Sequence, residues 1–149
     1  MTNALANTIV LDGFLGPMEE KLTASGSALK PGMLVFKTSA DEWNVHAVSG
    51  GVGIPWLLHE DRYQYDSSDS GGVTLAYTAA TPAFAEAVQP GAKRYVLLKA
   101  SENVAVGDYL ISGGDGTFIK TTGTPARTFC QADEASNTGT AQLIKARFL

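Results

Sequence analysis

The chain has 149 residues, 44% of them apolar and 17% charged, with 15 acidic against 11 basic side chains and a formal charge of −4. A chain of this length holds one globular domain with a sizeable core, which excludes a large multidomain enzyme, and its apolar content excludes disorder. The basic residues are scattered, with no cluster longer than Lys93-Arg94, so no nucleic-acid partner is expected.

At the N-terminus no basic residue precedes Lys21, and the apolar run from Thr8 to Leu15 is broken by Asp12 and Gly13. That is not the form of a signal peptide, so synthesis in a cytoplasm is expected. No run approaches the ~20 apolar residues of a membrane helix, and no membrane partner is expected. Residues 1–17 have no second strand nearby in sequence to pair with and read as an extended N-terminal arm; residues 18–149 read as a single β domain.

Met18 to Leu22 carries helix-forming residues and is the first of two candidate short helices. Lys30-Pro31-Gly32 then reads as a turn into a strand from Met33 to Lys37, because Pro presets φ at the first central position and Gly accepts the positive φ of the second. A strand from Trp43 to Val48 follows. Gly72 to Thr78 alternates Val73, Leu75 and Tyr77 with small or hydroxyl residues, the period of a strand packed on one face.

Thr81 as N-cap and Pro82 at the first helical position predict the second short helix, ending near Val88. Gln89-Pro90-Gly91 leads into a strand from Arg94 to Lys99, and Val106-Gly107-Asp108 into one from Asp108 to Ser112. The segment Ser112-Gly113-Gly114-Asp115-Gly116 is a hairpin tip before Thr117 to Thr121, since Asp-Gly is the strongest short hairpin signal. Neither face of the last strand, Thr140 to Phe148, is purely apolar, which predicts an edge or interface strand. The expected fold is mainly β, a compact β-barrel or β-sandwich with at most one or two short helices.

Chemistry-bearing motifs are sparse. The sequence has no nucleophile elbow, no phosphate-binding loop and no zinc helix, and Gly50-Gly51-Val52-Gly53 lacks both the spacing and the βαβ setting of a dinucleotide site. Cys130 is the only cysteine, so it forms no intrachain disulfide and reads as a small buried thiol. His59-Glu60-Asp61 has the composition of a metal corner or of a general base with its orienting acid, against a solvated polar turn as the plain reading. His46 reads as a strand histidine facing solvent or a partner. The run Asp66-Ser67-Ser68-Asp69-Ser70-Gly71-Gly72 offers oxygen ligands without the spacing of a calcium loop. Trp43, Trp56, Tyr63, Tyr65, Tyr77, Phe84 and Tyr95 can form either a stacking platform or core and partner anchors. No catalytic residue, metal or cofactor is expected.

Three stretches, taken in order, carry a resemblance: Leu22 to Val35 with its Lys30-Pro31-Gly32 turn, Trp43-Asn44-Val45-His46-Ala47, and Glu102-Asn103-Val104-Ala105-Val106-Gly107-Asp108-Tyr109-Leu110 followed by Gly114-Asp115-Gly116. Their order resembles that of the small β-rich decoration (cement) proteins of tailed-bacteriophage capsids, over about Leu22 to Leu149. The segment from His59 to Gln89 departs from that pattern.

The resemblance implies a non-enzymatic virion protein on the outer capsid surface, with the major capsid protein and copies of itself as partners. A trimer is favoured over a dimer, and the function implied is stabilisation of the shell. Within it, the apolar arm residues Ile9, Val10, Leu11, Phe14 and Leu15 and the aromatics Trp56, Tyr63 and Tyr65 are the expected capsid or protomer interface. A receptor- or glycan-binding β module of a tail or surface appendage is the alternative, and a hydrolase using His59 as base is the enzymatic one.

Overall fold

The computed structural model describes residues 8–24, 28–60, 76–121 and 128–149. Among them are thirteen strands and no helix: β1 (Val10–Asp12), β2 (Met18–Leu22), β3 (Leu34–Lys37), β4 (Trp43–Val45), β5 (Trp56–Leu58), β6 (Pro82–Ala87), β7 (Lys93–Leu98), β8 (Asn103–Val104), β9 (Tyr109–Ser112), β10 (Phe118–Lys120), β11 (Cys130–Ala132), β12 (Ser136–Asn137) and β13 (Gln142–Phe148).

Five of them close a barrel in the order β7-β10-β9-β11-β13, with β13 pairing back onto β7 from Gln142↔Leu98 to Arg147↔Lys93, and β1 adds to the free part of the β7 edge. A second, wholly antiparallel sheet runs β2-β6-β5-β3-β4, and a bridge between Thr23 and Trp43 joins its two edges. β8 and β12 form a small ribbon.

β7 is the strand that both units share. Its Tyr95-Val96-Leu97-Leu98 run is buried throughout: Val96 and Leu98 belong to the barrel core with Leu110, Phe118, Ile144 and Phe148, whereas Leu97 belongs to the second core with Trp43, Trp56 and Leu58. A strand covered on both faces reads as an apolar run rather than an alternation. Each fully buried Leu or Phe here is worth about 1.5–3 kcal/mol.

The turns form as their residues dictate. Gly32, Gly91 and Gly107 take φ of +84°, +86° and +96°, and the turn hydrogen bonds Met33 N to Lys30 O, Ala92 N to Gln89 O and Asp108 N to Ala105 O close at 3.2 Å. Gly113–Gly116 makes the β9–β10 hairpin tip, which reaches across to the second sheet through Leu34 N to Gly116 O at 2.8 Å.

Several expectations need correction. Both candidate helices are strands: Met18–Leu22 and Pro82–Ala87 pair with each other in antiparallel register, Met18↔Glu86 to Leu22↔Pro82. Ala83 and Ala85 of β6 are fully buried in the core that holds both tryptophans, and Pro82 sits at the first strand position, where its missing N–H is tolerated. Packing overrides helix propensity here.

β13 is no edge strand, since β7 and β11 flank it on both sides. The described part of the expected arm, residues 8–17, is part of the fold: Val10 pairs with Arg94, Tyr95 N donates to Ile9 O at 2.9 Å, and Ile9 is fully buried. Residues 1–7 lie outside the described residues, as does the expected strand at 72–75. Ala76 to Thr78 are not in a strand.

Candidate functional site

A charged cluster is buried where the two units meet. Arg94, from the start of β7, donates Nε to Glu86 Oε2 at 2.9 Å and Nη2 to Glu86 Oε1 at 2.7 Å, a two-pronged pairing that a planar guanidinium and a carboxylate make well. His59 Nε2 lies 2.9 Å from Glu86 Oε2, and because an ionised carboxylate only accepts, this ring nitrogen carries the hydrogen. His59 Nδ1 is buried with no partner among the described residues. Burial opposes the Glu86 charge, but the hydrogen bonds from Arg94, His59 and Gly16 N overcome it and hold the carboxyl at about 2.

The same cluster captures the backbone of the N-terminal segment. Arg94 Nη1 donates to Asp12 O, Nη2 donates to Phe14 O at 2.9 Å, and Gly16 N donates to Glu86 Oε1 at 2.8 Å. Glu60 holds the segment further up, accepting from Thr8 Oγ1 and Ile9 N at 3.1 Å. The two carboxylates therefore fasten chain to chain.

His59 and Glu60 do not pair with each other as a base and its orienting acid. His59 and Glu60 face different partners, His59 is fully buried, and Asp61 lies outside the described residues, as do Tyr63, Tyr65 and the 66–72 run. Among the described residues no group of three or more His, Cys, Asp or Glu is placed to hold a metal ion. His46 is also buried, against the expectation of an outward-facing ring: Nδ1 lies 2.8 Å from Ser112 Oγ, and the ring meets Phe129 edge-on at 6.0 Å. Cys130 is buried as expected, and burial pushes its thiol far above the ordinary range.

Of the described aromatics, Trp43, Trp56, Tyr77 and Tyr95 are buried in the core and Phe84 is half-buried. Trp43 and Trp56 pack with ring centroids 5.1 Å apart, Trp43 Nε1 donates to Ala83 O at 3.1 Å, and the Tyr77 hydroxyl donates to His59 O at 2.7 Å. Of the expected interface residues, Ile9 and Trp56 fill the interior and Val10 and Leu11 are half-buried. Phe14 and Leu15 are 91% and 55% exposed.

The surface feature that the sequence reading missed is an apolar groove of about 400 Å³ lined by Phe36, Lys37, His46, Val48, Val52 and Ile54, with Trp56 at its floor. Val48, Val52 and Ile54 are 63%, 67% and 60% exposed. Phe36, Lys37, His46 and Val48 belong to expected strands, but only the sheet register brings them beside Val52 and Ile54. Lys37, the one charged side chain in the lining, bonds Glu19 Oε1 at 2.6 Å and stands 4.8 Å from the Trp56 ring centroid.

No protein-family model and no curated protein matches the sequence. The fold is similar to the N base of head fiber gp8.5 in bacteriophage phi29. That likeness has a TM-score of 0.56 at 19% identity and covers 89% of this chain and 95% of the other. It is a likeness of fold, and it spans nearly the whole of both chains.

Proposed function

We propose that this chain is a non-enzymatic structural protein of a phage head, seated on the outer surface of the major capsid protein shell and stabilising it. The observation that carries the proposal is the fold likeness, over 89% of this chain, to the base of a phage head fiber, joined to the order of turn and strand motifs that resembles the capsid decoration proteins. The chemistry of the interior agrees with it. The polar groups that a hydrolase would need in a cleft are instead spent on fastening the N-terminal segment inside the fold.

As a decoration protein it would act through repetition. Many modest contacts, one set per lattice position, favour the assembled shell over free subunits, because whatever binds one state and not the other shifts the balance by mass action. The test is quantitative mass spectrometry of purified virions. A copy number near that of the major capsid protein, or a simple fraction of it, is expected. A handful of copies would assign the chain to a tail or vertex, and absence from the particle would overturn the reading.

A further inference from the structure

Two N–H groups on the side chains lining the apolar groove have no hydrogen-bond partner among the described residues. His46 is 8% exposed and lies in the groove wall. Its Nδ1 is 2.8 Å from Ser112 Oγ, and that hydroxyl also accepts from Gly114 N at 3.2 Å. Ser112 is fully buried, and His46 Nδ1 is the one acceptor within reach of its hydroxyl among the described residues. The hydroxyl therefore donates to Nδ1, and Nε2 carries the ring hydrogen. Nε2 faces the groove, 3.9 Å from where a Cβ on Gly53, another lining residue, would stand. Trp56, 7% exposed, supplies the second group through its unpartnered Nε1.

The rest of the lining adds neither a side-chain acceptor nor a free charge. Phe36, Val48, Val52 and Ile54 are apolar, and the Lys37 ammonium is balanced by Glu19, whose Oε1 it bonds at 2.6 Å. We propose that this groove binds a proline-rich segment of a partner polypeptide in the polyproline II form. A charged occupant would find nothing to balance it. An occupant that brings donors would leave them facing no side-chain acceptor, at the full desolvation cost of each. Proline meets both conditions, with an apolar ring, a carbonyl that accepts and no backbone N–H. Polyproline II has no internal hydrogen bonds, so its carbonyls are free for His46 and Trp56, and a preformed helix loses little entropy on docking.

A glycan fits less well. Its hydroxyls donate as well as accept, and the Trp56 ring already meets Lys37 Nζ at 4.8 Å and the Trp43 ring at 5.1 Å. A small carbonyl compound shares the acceptor chemistry, but Val48, Val52 and Ile54 are more than half exposed, and such a rim is covered by a longer segment and not by a small molecule. This partner chemistry goes beyond the head-surface role and does not depend on it.

Acetyl-hexaproline amide, titrated into the purified full chain and followed by proton–nitrogen correlation NMR, is the test. The Trp56 indole N–H should shift saturably with a Kd of about 1 mM or tighter, whereas that of Trp43, which already donates to Ala83 O, should stay in place. Acetyl-hexaalanine amide, apolar but with every N–H, should bind about tenfold more weakly. Val52→Asp and Ile54→Asp alter exposed side chains, so both should keep the wild-type circular dichroism and lose the shift. No shift with hexaproline, equal affinity for hexaalanine, or undiminished binding by both variants would overturn the inference. Cyclohexanone saturating the same shift as tightly would overturn it in favour of a small-molecule site. A wild-type dimer in light scattering that Val52→Asp dissolves would overturn it in favour of a second copy.

Discussion

Arg94 and Glu86 are joined by two hydrogen bonds, at 2.9 and 2.7 Å, with both side chains fully buried between a closed barrel and a second sheet. The pair connects the last strand of one unit to the first strand of the other across the Gln89-Pro90-Gly91 turn, and it fixes the path of the N-terminal segment. Removing one partner leaves a buried charge with nothing to balance it, a loss of about 3–5 kcal/mol. Arg94→Met and Glu86→Leu should each destabilise by that order, and the double variant by less than the sum, because no orphan charge remains. Urea denaturation of the three variants measures the coupling.

The depressed Glu86 carboxyl gives a pH signature. A carboxyl held at about 2 in the folded chain but ordinary in the unfolded one contributes stability that is fully present above the unfolded value near 4.5 and is lost as pH falls through 2. Asp108, Asp115 and Asp133 are also lowered, so the wild-type profile alone does not isolate it. The difference between wild type and Glu86→Gln does. That difference should be constant above about pH 5 and shrink steadily between pH 4.5 and 2, as read from urea midpoints.

Two glycines should respond differently to the same change. A Cβ on Gly16 would stand 1.9 Å from Ala87 O, so Gly16→Ala must push backbone apart and break the Gly16 N bond to Glu86, at a cost of about 1–3 kcal/mol. At Gly91, φ is +86° but nothing lies within 4 Å of a new Cβ, so Gly91→Ala should lose only about 1 kcal/mol from left-handed strain. Thermal melts of the two variants rank them.

Within the N-terminal segment the contrast is burial. Ile9→Ala opens a cavity in the barrel core and should cost about 2–5 kcal/mol, whereas Phe14→Ala should lie within ~0.5 kcal/mol of wild type. Deletion of Met1 to Gly16 removes Ile9, β1 and the Gly16 bond together, and should lower the melting temperature sharply rather than free an idle arm.

Cys130 offers a probe of the barrel itself. Its thiol is fully buried on β11 and resists ionisation, so a thiol reagent should label it only at the rate of opening, and completely in urea. Prompt stoichiometric labelling of the native protein would contradict the closed ring.

How far the sequence reached depends on the range of the forces involved. Turns such as Lys30-Pro31-Gly32 and the Ser112–Gly116 tip were legible because φ preferences act within four residues, and the runs at β3, β7, β9, β10 and β13 were legible because side-chain period is local. The Thr81–Val88 segment was misread for the opposite reason. Its alanines favour a helix in isolation, and only Trp43 and Trp56, some thirty to forty positions away, supply the apolar wall that makes small strand residues fit.

By itself, then, the sequence determined a β-rich chain punctuated by glycine turns, with a buried thiol and no catalytic motif. The tertiary structure alone decided that Val10–Asp12 of the expected arm pair with β7, that His59 answers to Glu86 rather than to Glu60, and that Phe14 and Ile54 share one end of a sheet. Propensity and period act between neighbours along the chain. Charge pairing, close backbone approach and surface shape act between residues that the chain separates by tens of positions, and they exist only once the strands have taken their register.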